Sequence, residues 1–228
     1  MHEMTDFDAT LRQLRTIPFL DGLSETQLNR LAAASRERRY GKDMLVFLKG
    51  DRPTGLYAVL AGTLKMACQS SRGGEKVIDL PAPGQVFGEA ALLLGSPYPY
   101  YVAALGPARL LHIDAAALLG LMGASPTFTR RMMARVAQGI STILDDLEDF
   151  RTRDPRQRVA RFLLEGAAAR DGARVSFPAP RHVFASRLGM TPESLSRAMR
   201  ELADAGMIEM GKQAVRVLDP RKLAVLVG

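Results

Sequence analysis

The sequence predicts an α+β chain in three parts: a small antiparallel β-roll, one long amphipathic helix and a C-terminal winged helix-turn-helix. Three observations carry this reading. Glycines punctuate short apolar runs between Tyr40 and Ile113, apolar residues recur at alternating steps of three and four over residues 133–150, and residues 185–206 read as a tight turn followed by a capped amphipathic helix.

The first forty residues read as helical. Leu11, Leu14, Leu20, Leu23, Leu28 and Leu31 form an apolar series, and Ser24 with Gln27 three positions on is a capping pattern. From Tyr40 the texture changes. Gly41, Gly50, Gly55, Gly62, Gly73-Gly74, Gly84, Gly88 and Gly95 fall where hairpin turns would need them. The runs between them, Met44–Leu48, Leu56–Leu60, Thr63–Ala67, Lys76–Leu80 and Leu110–Ile113, read as strands of a small barrel or roll.

Residues 125–153 are predicted to form one helix. Met133, Val136, Ile140, Ile143, Leu147 and Phe150 make an a/d stripe narrow enough for a helix that pairs with its own copy; a core helix packed on the roll is the alternative. Asp154-Pro155 breaks the pattern, because proline disfavours helical geometry in the residue before it, and places a hinge there. A helix from Arg156 to about Arg170 follows, burying Val159, Phe162 and Leu163. A strand near Arg174–Phe177, two short helices and a strand at Ala214–Leu218, with its turn at Gly211, complete the winged motif. The expected domains are therefore 1–124, 125–153 and 154–228.

Charge separates the same parts. Residues 1–149 balance at 16 basic and 16 acidic side chains, so the net +7 lies wholly in residues 150–228, which hold 15 basic and 8 acidic. A cationic module beside a neutral one suits a polyanion partner, since each phosphate contacted needs a nearby cation. The single Cys68 excludes an internal disulfide framework and any site needing several thiolates. No signal-peptide pattern or membrane-spanning run is legible, which predicts a soluble cytoplasmic chain without a membrane partner. No nucleophile–base pair, phosphate loop or metal spacing points to an enzyme, and three histidines supply little general-base capacity.

The most specific segment is residues 185–206. Gly189 supplies the turn, Thr191 an N-cap, Pro192 the first helical position and Glu193 a favourable charge at the helix N-terminus. Leu195, Met199 and Leu202 form the buried face, leaving Glu193, Ser196, Arg197 and Arg200 outward. Arg197 can donate twice to guanine O6 and N7, Glu193 can accept from a cytosine amino group, and Ser196 can touch a neighbouring base edge. Arg187, Arg200, Lys212 and Arg216 are expected on phosphates; a solvent-facing role beside Glu201 or Asp204 is the alternative for Arg200.

Over nearly its full length the chain resembles the Crp/Fnr family of bacterial transcription regulators. The resemblance rests on Gly50-Asp51 with Leu56–Lys65, on Phe87-Gly88-Glu89-Ala90-Ala91-Leu92-Leu93, on Arg158–Leu164, and on Leu188–Arg197. It implies a cyclic-nucleotide-binding-like β-roll, a double-stranded β-helix jelly roll, then a dimerisation helix and a DNA-binding domain. It also implies a homodimer on a palindromic operator of double-stranded DNA, with RNA polymerase as a further partner. Glu193, Ser196 and Arg197 match the Glu-x-x-Ser-Arg signature of the Fnr-like branch, which implies TTGAT-type half-sites. The cyclic-AMP branch carries an arginine where Pro192 stands, so TGTGA-type half-sites are disfavoured.

The same resemblance bears on the effector. Cyclic-nucleotide cradles of the superfamily place an arginine where Tyr98 stands, and a buried phosphate without a cation is strongly unfavourable. The expected effector pocket, Glu89, Ser96, Tyr98, Tyr100 and Tyr101, therefore disfavours a cyclic nucleotide. One cysteine cannot build the four-cysteine iron–sulfur cluster of oxygen-sensing relatives. Haem is compatible with a pocket rich in Tyr, Leu and Met, and Tyr101-Val102-Ala103 is similar to the haem- and nitric-oxide-responsive Dnr-like branch. His112 reads as a rim residue and His182 belongs to the DNA-binding part. A cyclic-nucleotide-responsive regulator and an effector-independent one controlled by abundance stay open as alternatives.

Overall fold

A computed structural model describes residues 2–69, 74–168, 174–211 and 214–228, with the backbone alone for 2–6 and 168. Two compact units result, Met1–Gly74 with Ile78–Ile140, and Glu75–Val77 with Ser141–Gly228.

The first unit opens with α1 (His2–Leu14) and α2 (Glu25–Ala33). Ser24 caps α2 by accepting from the Gln27 N–H while the Gln27 side chain accepts from the Ser24 N–H, the reciprocal box legible in the sequence. Residues 35–40 correct the helical expectation for the first forty residues. They form β1 (Ser35–Tyr40), paired antiparallel with β8 (Ala108–Asp114). The strand is polar because it lies at a sheet edge: Ser35 is buried while Arg36, Arg38 and Arg39 face solvent.

The roll consists of two four-stranded sheets. The first has the order β1-β8-β3-β6, with β3 at Gly55–Ala61 and β6 at Val86–Phe87. The second has the order β2-β7-β4-β5, with β2 at Leu45–Phe47, β7 at Tyr101–Ala104, β4 at Leu64–Gln69 and β5 at Glu75–Asp79. Gly62 turns β3 into β4 at φ +87°, where a Cβ would stand 2.6 Å from the Pro107 carbonyl oxygen. A short helix α3 (Glu89–Leu94) follows β6, and α4 (Ala115–Ala124) follows β8, capped by Asp114 accepting from the Ala116 and Ala117 N–H groups.

One apolar core joins Leu14, Leu31, Leu56, Leu111, Ile113 and Leu118 to Phe128 and Met132 of α5 (Pro126–Thr152). Burying side chains of this size contributes about 1.5–3 kcal/mol each, which fixes the N-terminal part of α5 on the roll. The second core lies inside the roll and is aromatic: Phe47, Tyr57, Phe87 and Tyr98 with Val102, Ala104 and Leu110.

The second unit contains the rest of α5, then α6 (Pro155–Ala168), β9 (Arg174–Ser176), α7 (Arg181–Arg187), α8 (Pro192–Asp204), β10 (Ile208–Met210), β11 (Ala214–Val217) and α9 (Pro220–Val227). Strands pair in the order β10-β11-β9. The break at Asp154-Pro155 is present but bridged: Asp149 of α5 pairs with Arg161 of α6 at 2.7 Å and with Arg153. Leu223 of α9 is fully buried, and the Gln157 amide donates to the Leu226 carbonyl at 3.1 Å. Among the described residues no helix is long and apolar enough to cross a membrane.

Candidate nucleic-acid interface and effector cradle

The outward face of α8 is built by its inward one. Leu195, Ala198, Met199 and Leu202 are buried, which turns Glu193, Arg197 and Arg200 to solvent and leaves Ser196 half-buried. Thr191 caps the helix by accepting from the Ser194 N–H at 3.2 Å, with Pro192 at the first position. Glu193 is fully exposed. Hydrogen bonds from its own N–H and from Thr191 hold its carboxyl below the usual carboxylate range, keeping it an acceptor near neutrality. Arg197 borders a surface cleft shared with Arg156 of α6, Ser194 and Glu201.

The phosphate expectations divide. Arg200 is exposed on α8. Arg216 is exposed in the wing, with Glu209 3.5 Å away. Its cross-strand partner on β9 is Arg174, a residue the sequence reading passed over. Like charges directly opposite one another destabilise a sheet, and an anion would relieve them. Arg187 is a correction. Its guanidinium is turned back onto Asp146 of α5 at 2.8 Å, leaving the side chain 19% exposed, so it is spent on an internal ion pair. Lys212 lies outside the described residues.

Along α5, Met133, Ile140, Ile143 and Leu147 are 51–56% exposed, a continuous apolar stripe on the surface. Leu144 adds to it at 60%, and Val136 is half-buried. Phe150 does not continue the stripe. Its ring lies beneath the Arg158 guanidinium, 5.6 Å from carbon to centroid, and against Gly189. The last apolar residue of the repeat is therefore held by its own chain.

Of the residues expected to line an effector pocket, Tyr98 and Tyr100 pack among the roll's own aromatic side chains. Tyr98 is 2% exposed and stacks on Phe47 with ring centroids 3.7 Å apart. Tyr57 stacks on Phe87 at 5.3 Å, and Tyr100 packs on the edge of this cluster. Burial pushes the phenols of Tyr98 and Tyr100 well above their ordinary range, so both stay neutral. Tyr101 corrects its assignment. Val102 and Ala104 join the aromatic core, so strand alternation turns Tyr101 to the other face, where the Lys65 ammonium lies 5.6 Å over its ring. Ser96 is half-buried beyond the end of α3.

Glu89 is 8% exposed and has a cation that the sequence reading missed. Arg135 of α5 approaches it, Nε to Oε1, at 3.5 Å and donates from Nη2 to the Val86 carbonyl at 3.1 Å. Burial still pushes the Glu89 carboxyl up, with Arg135 opposing. Arg131, one turn earlier on α5, lies against Gly22 instead.

His112 is 8% exposed, shares a 3.0 Å hydrogen bond from Nε2 with the Thr54 hydroxyl, and tilts against the Tyr57 ring at 4.8 Å. Its ring nitrogen is committed to the roll's own hydrogen bonding, and His182 belongs to the second unit. A haem held by His112 does not fit these residues.

Comparison with known proteins gives the family. Residues 37–125 match the cyclic nucleotide-binding domain and residues 157–226 the Crp-like helix-turn-helix domain. The chain is similar to the cyclic AMP receptor protein of Thermus thermophilus, at 26% identity over 88% of this chain and 92% of that one. It is similar to the fumarate and nitrate reduction regulatory protein of Salmonella typhimurium, at 25% identity over 97% and 89%. The structure of FixK2 from Bradyrhizobium japonicum superposes with a TM-score of 0.77 at 22% identity, covering 85% of this chain and 98% of that one.

Proposed function

The chain belongs to the Crp/Fnr family of DNA-binding transcription regulators, and from that premise we propose that it acts as a homodimer on an inverted repeat of TTGAT-like half-sites. The observation that carries the half-site is the presentation of Glu193, Ser196 and Arg197 along one side of α8. A carboxylate acceptor and a bidentate donor one helical turn apart suit the half-site's single G·C pair in a major groove, the arginine on the guanine and the glutamate on the cytosine amino group. The exposed stripe from Met133 to Leu147 supports pairing of α5 with its copy, which would set two recognition helices about one DNA turn apart. Arg174, Arg200 and Arg216 supply phosphate contacts. RNA polymerase is the expected partner at the promoter.

The effector reading is that no cyclic nucleotide controls this chain. Tyr98, where the resemblance expects a phosphate-binding arginine, is stacked on Phe47, and Arg135 is already paired with Glu89. An apolar ligand would have to displace buried rings. A chain with no effector, governed by its abundance, is the second reading, and the stacked Phe47–Tyr98 pair favours it.

Gel-shift titration on matched TTGAT and TGTGA inverted repeats tests the operator. Preference for TTGAT supports the reading; equal affinity for both repeats and for random DNA overturns it. Soret absorbance of the purified protein tests for haem directly.

A further inference from the structure

We propose that Arg158 and Phe150 are positioning residues for the recognition helix, fastening the C-terminal part of α5 to the turn of the helix-turn-helix so that α5 dictates the half-site spacing the dimer accepts. The inference rests on the operator reading above and adds to it the device that sets geometry. Arg158 Nη1 donates to the carbonyls of Leu188 and Gly189 at 2.8 and 3.1 Å. These belong to the C-terminal end of α7 and the following turn, where carbonyls lack helical partners. Both bonds come from Nη1, and the guanidinium carbon lies 5.6 Å from the Phe150 ring centroid, so one side chain, a bond longer in reach than lysine, ties the turn to the α5 ring.

The turn itself is held tightly. Gly189 adopts φ +65°, and a Cβ there would stand 2.7 Å from Phe150 Cε1, so the α5 ring takes the space a side chain would need. Asp146 binds Arg187 at the end of α7, and Asp149 binds Arg161 of α6. Residues 146, 149 and 150 thus reach three successive places around the DNA-binding motif. All belong to the unit that takes up α5 from Ser141 onward, ahead of the proline break. A loosened turn would let α8 tilt while its buried face stayed packed, and spacing would then be read less sharply than sequence.

The test uses the full chain on inverted repeats identical except that the half-site centres are moved by one or two base pairs in either direction. Wild type is expected to favour one spacing by about tenfold over its neighbours. Arg158→Lys and Phe150→Leu are expected to reduce that preference to about threefold or less, while affinity for an isolated half-site and for random DNA changes by no more than about twofold. Asp146→Asn, a surface-proximal change in the same fastening, gives the same readout if Arg158→Lys melts early. Retention of the wild-type spacing preference in the folded variants, or a loss uniform across all spacings, overturns the inference alone. A wild-type chain that prefers no inverted repeat over random DNA overturns the operator reading, and this one with it.

Discussion

Arg135 stands 3.5 Å from Glu89, so the long helix itself supplies the cation beside the buried acid at the start of α3. Arg135 is 29% exposed and Glu89 10% by side chain, and the arginine also satisfies the Val86 carbonyl. The pair fastens α5 to the roll, and an incoming anion would have to compete for an arginine already committed.

Deleting one partner should therefore cost more than deleting both. Arg135→Met leaves a carboxylate buried without its cation, and we expect about 2–4 kcal/mol of lost stability in urea unfolding. Adding Glu89→Gln should recover part of that loss, because no charge is then stranded. Strict additivity of the two single changes would show that the residues do not interact energetically.

Cyclic nucleotides should bind weakly or not at all. Calorimetric titration with cyclic AMP and cyclic GMP is expected to give no heat of binding at micromolar ligand. Micromolar affinity for either would mean that Tyr98 leaves its stack on Phe47 and that Arg135 turns from Glu89 to the phosphate.

Arg197→Ala should weaken binding to the specific operator by about 1–3 kcal/mol per half-site while leaving binding to random DNA nearly unchanged. Arg216→Ala should instead weaken both alike and lower the salt dependence by about one phosphate contact. An equal loss on both DNAs for Arg197→Ala would reassign that residue to the backbone.

Local signals were legible and distant ones were not. The Ser24 box, the Thr191-Pro192 start of α8 and the wing follow from residues a few positions apart. β1 was hidden because an edge strand rich in arginine lacks the alternation that marks a buried one. Arg187 looked free for phosphate because nothing local announces Asp146, which reaches it from another helix. Phe150 kept the heptad spacing, yet its ring is claimed by Arg158 and Gly189. Each miss is a long-range pairing that periodicity does not encode.

His112 should make the roll sensitive to mild acid. Burial holds its pKa below the ordinary 6.5; Arg38 adds to that effect and Asp114 opposes it. Between the lowered folded value and 6.5 the unfolded chain binds more protons than the folded one. The contribution of neutral His112 is thus fully present above 6.5 and lost as pH falls through that window. Melting temperatures measured from pH 7 to pH 5 should decline, and His112→Gln should flatten the decline. An unchanged slope in the variant would place the acid sensitivity elsewhere.

The final expectation concerns assembly. Ile140 is 56% exposed at the middle of the α5 stripe, with Ile143 and Leu147 following at steps of three and four. Large apolar side chains aligned this way bury their surface when two copies of α5 pair about a twofold axis, where each residue faces its own counterpart's neighbourhood. Ile140→Asp would place two like charges at that seam without a cation to neutralise them, which costs more than a truncation at the same position. The substituted side chain points to solvent in the isolated chain, so the monomer's fold should survive. Sedimentation is expected to show dissociation to monomers at micromolar protein, with circular dichroism unchanged and affinity for the inverted repeat reduced to that of a single half-site. A variant that stays dimeric would place the seam on a different face of α5.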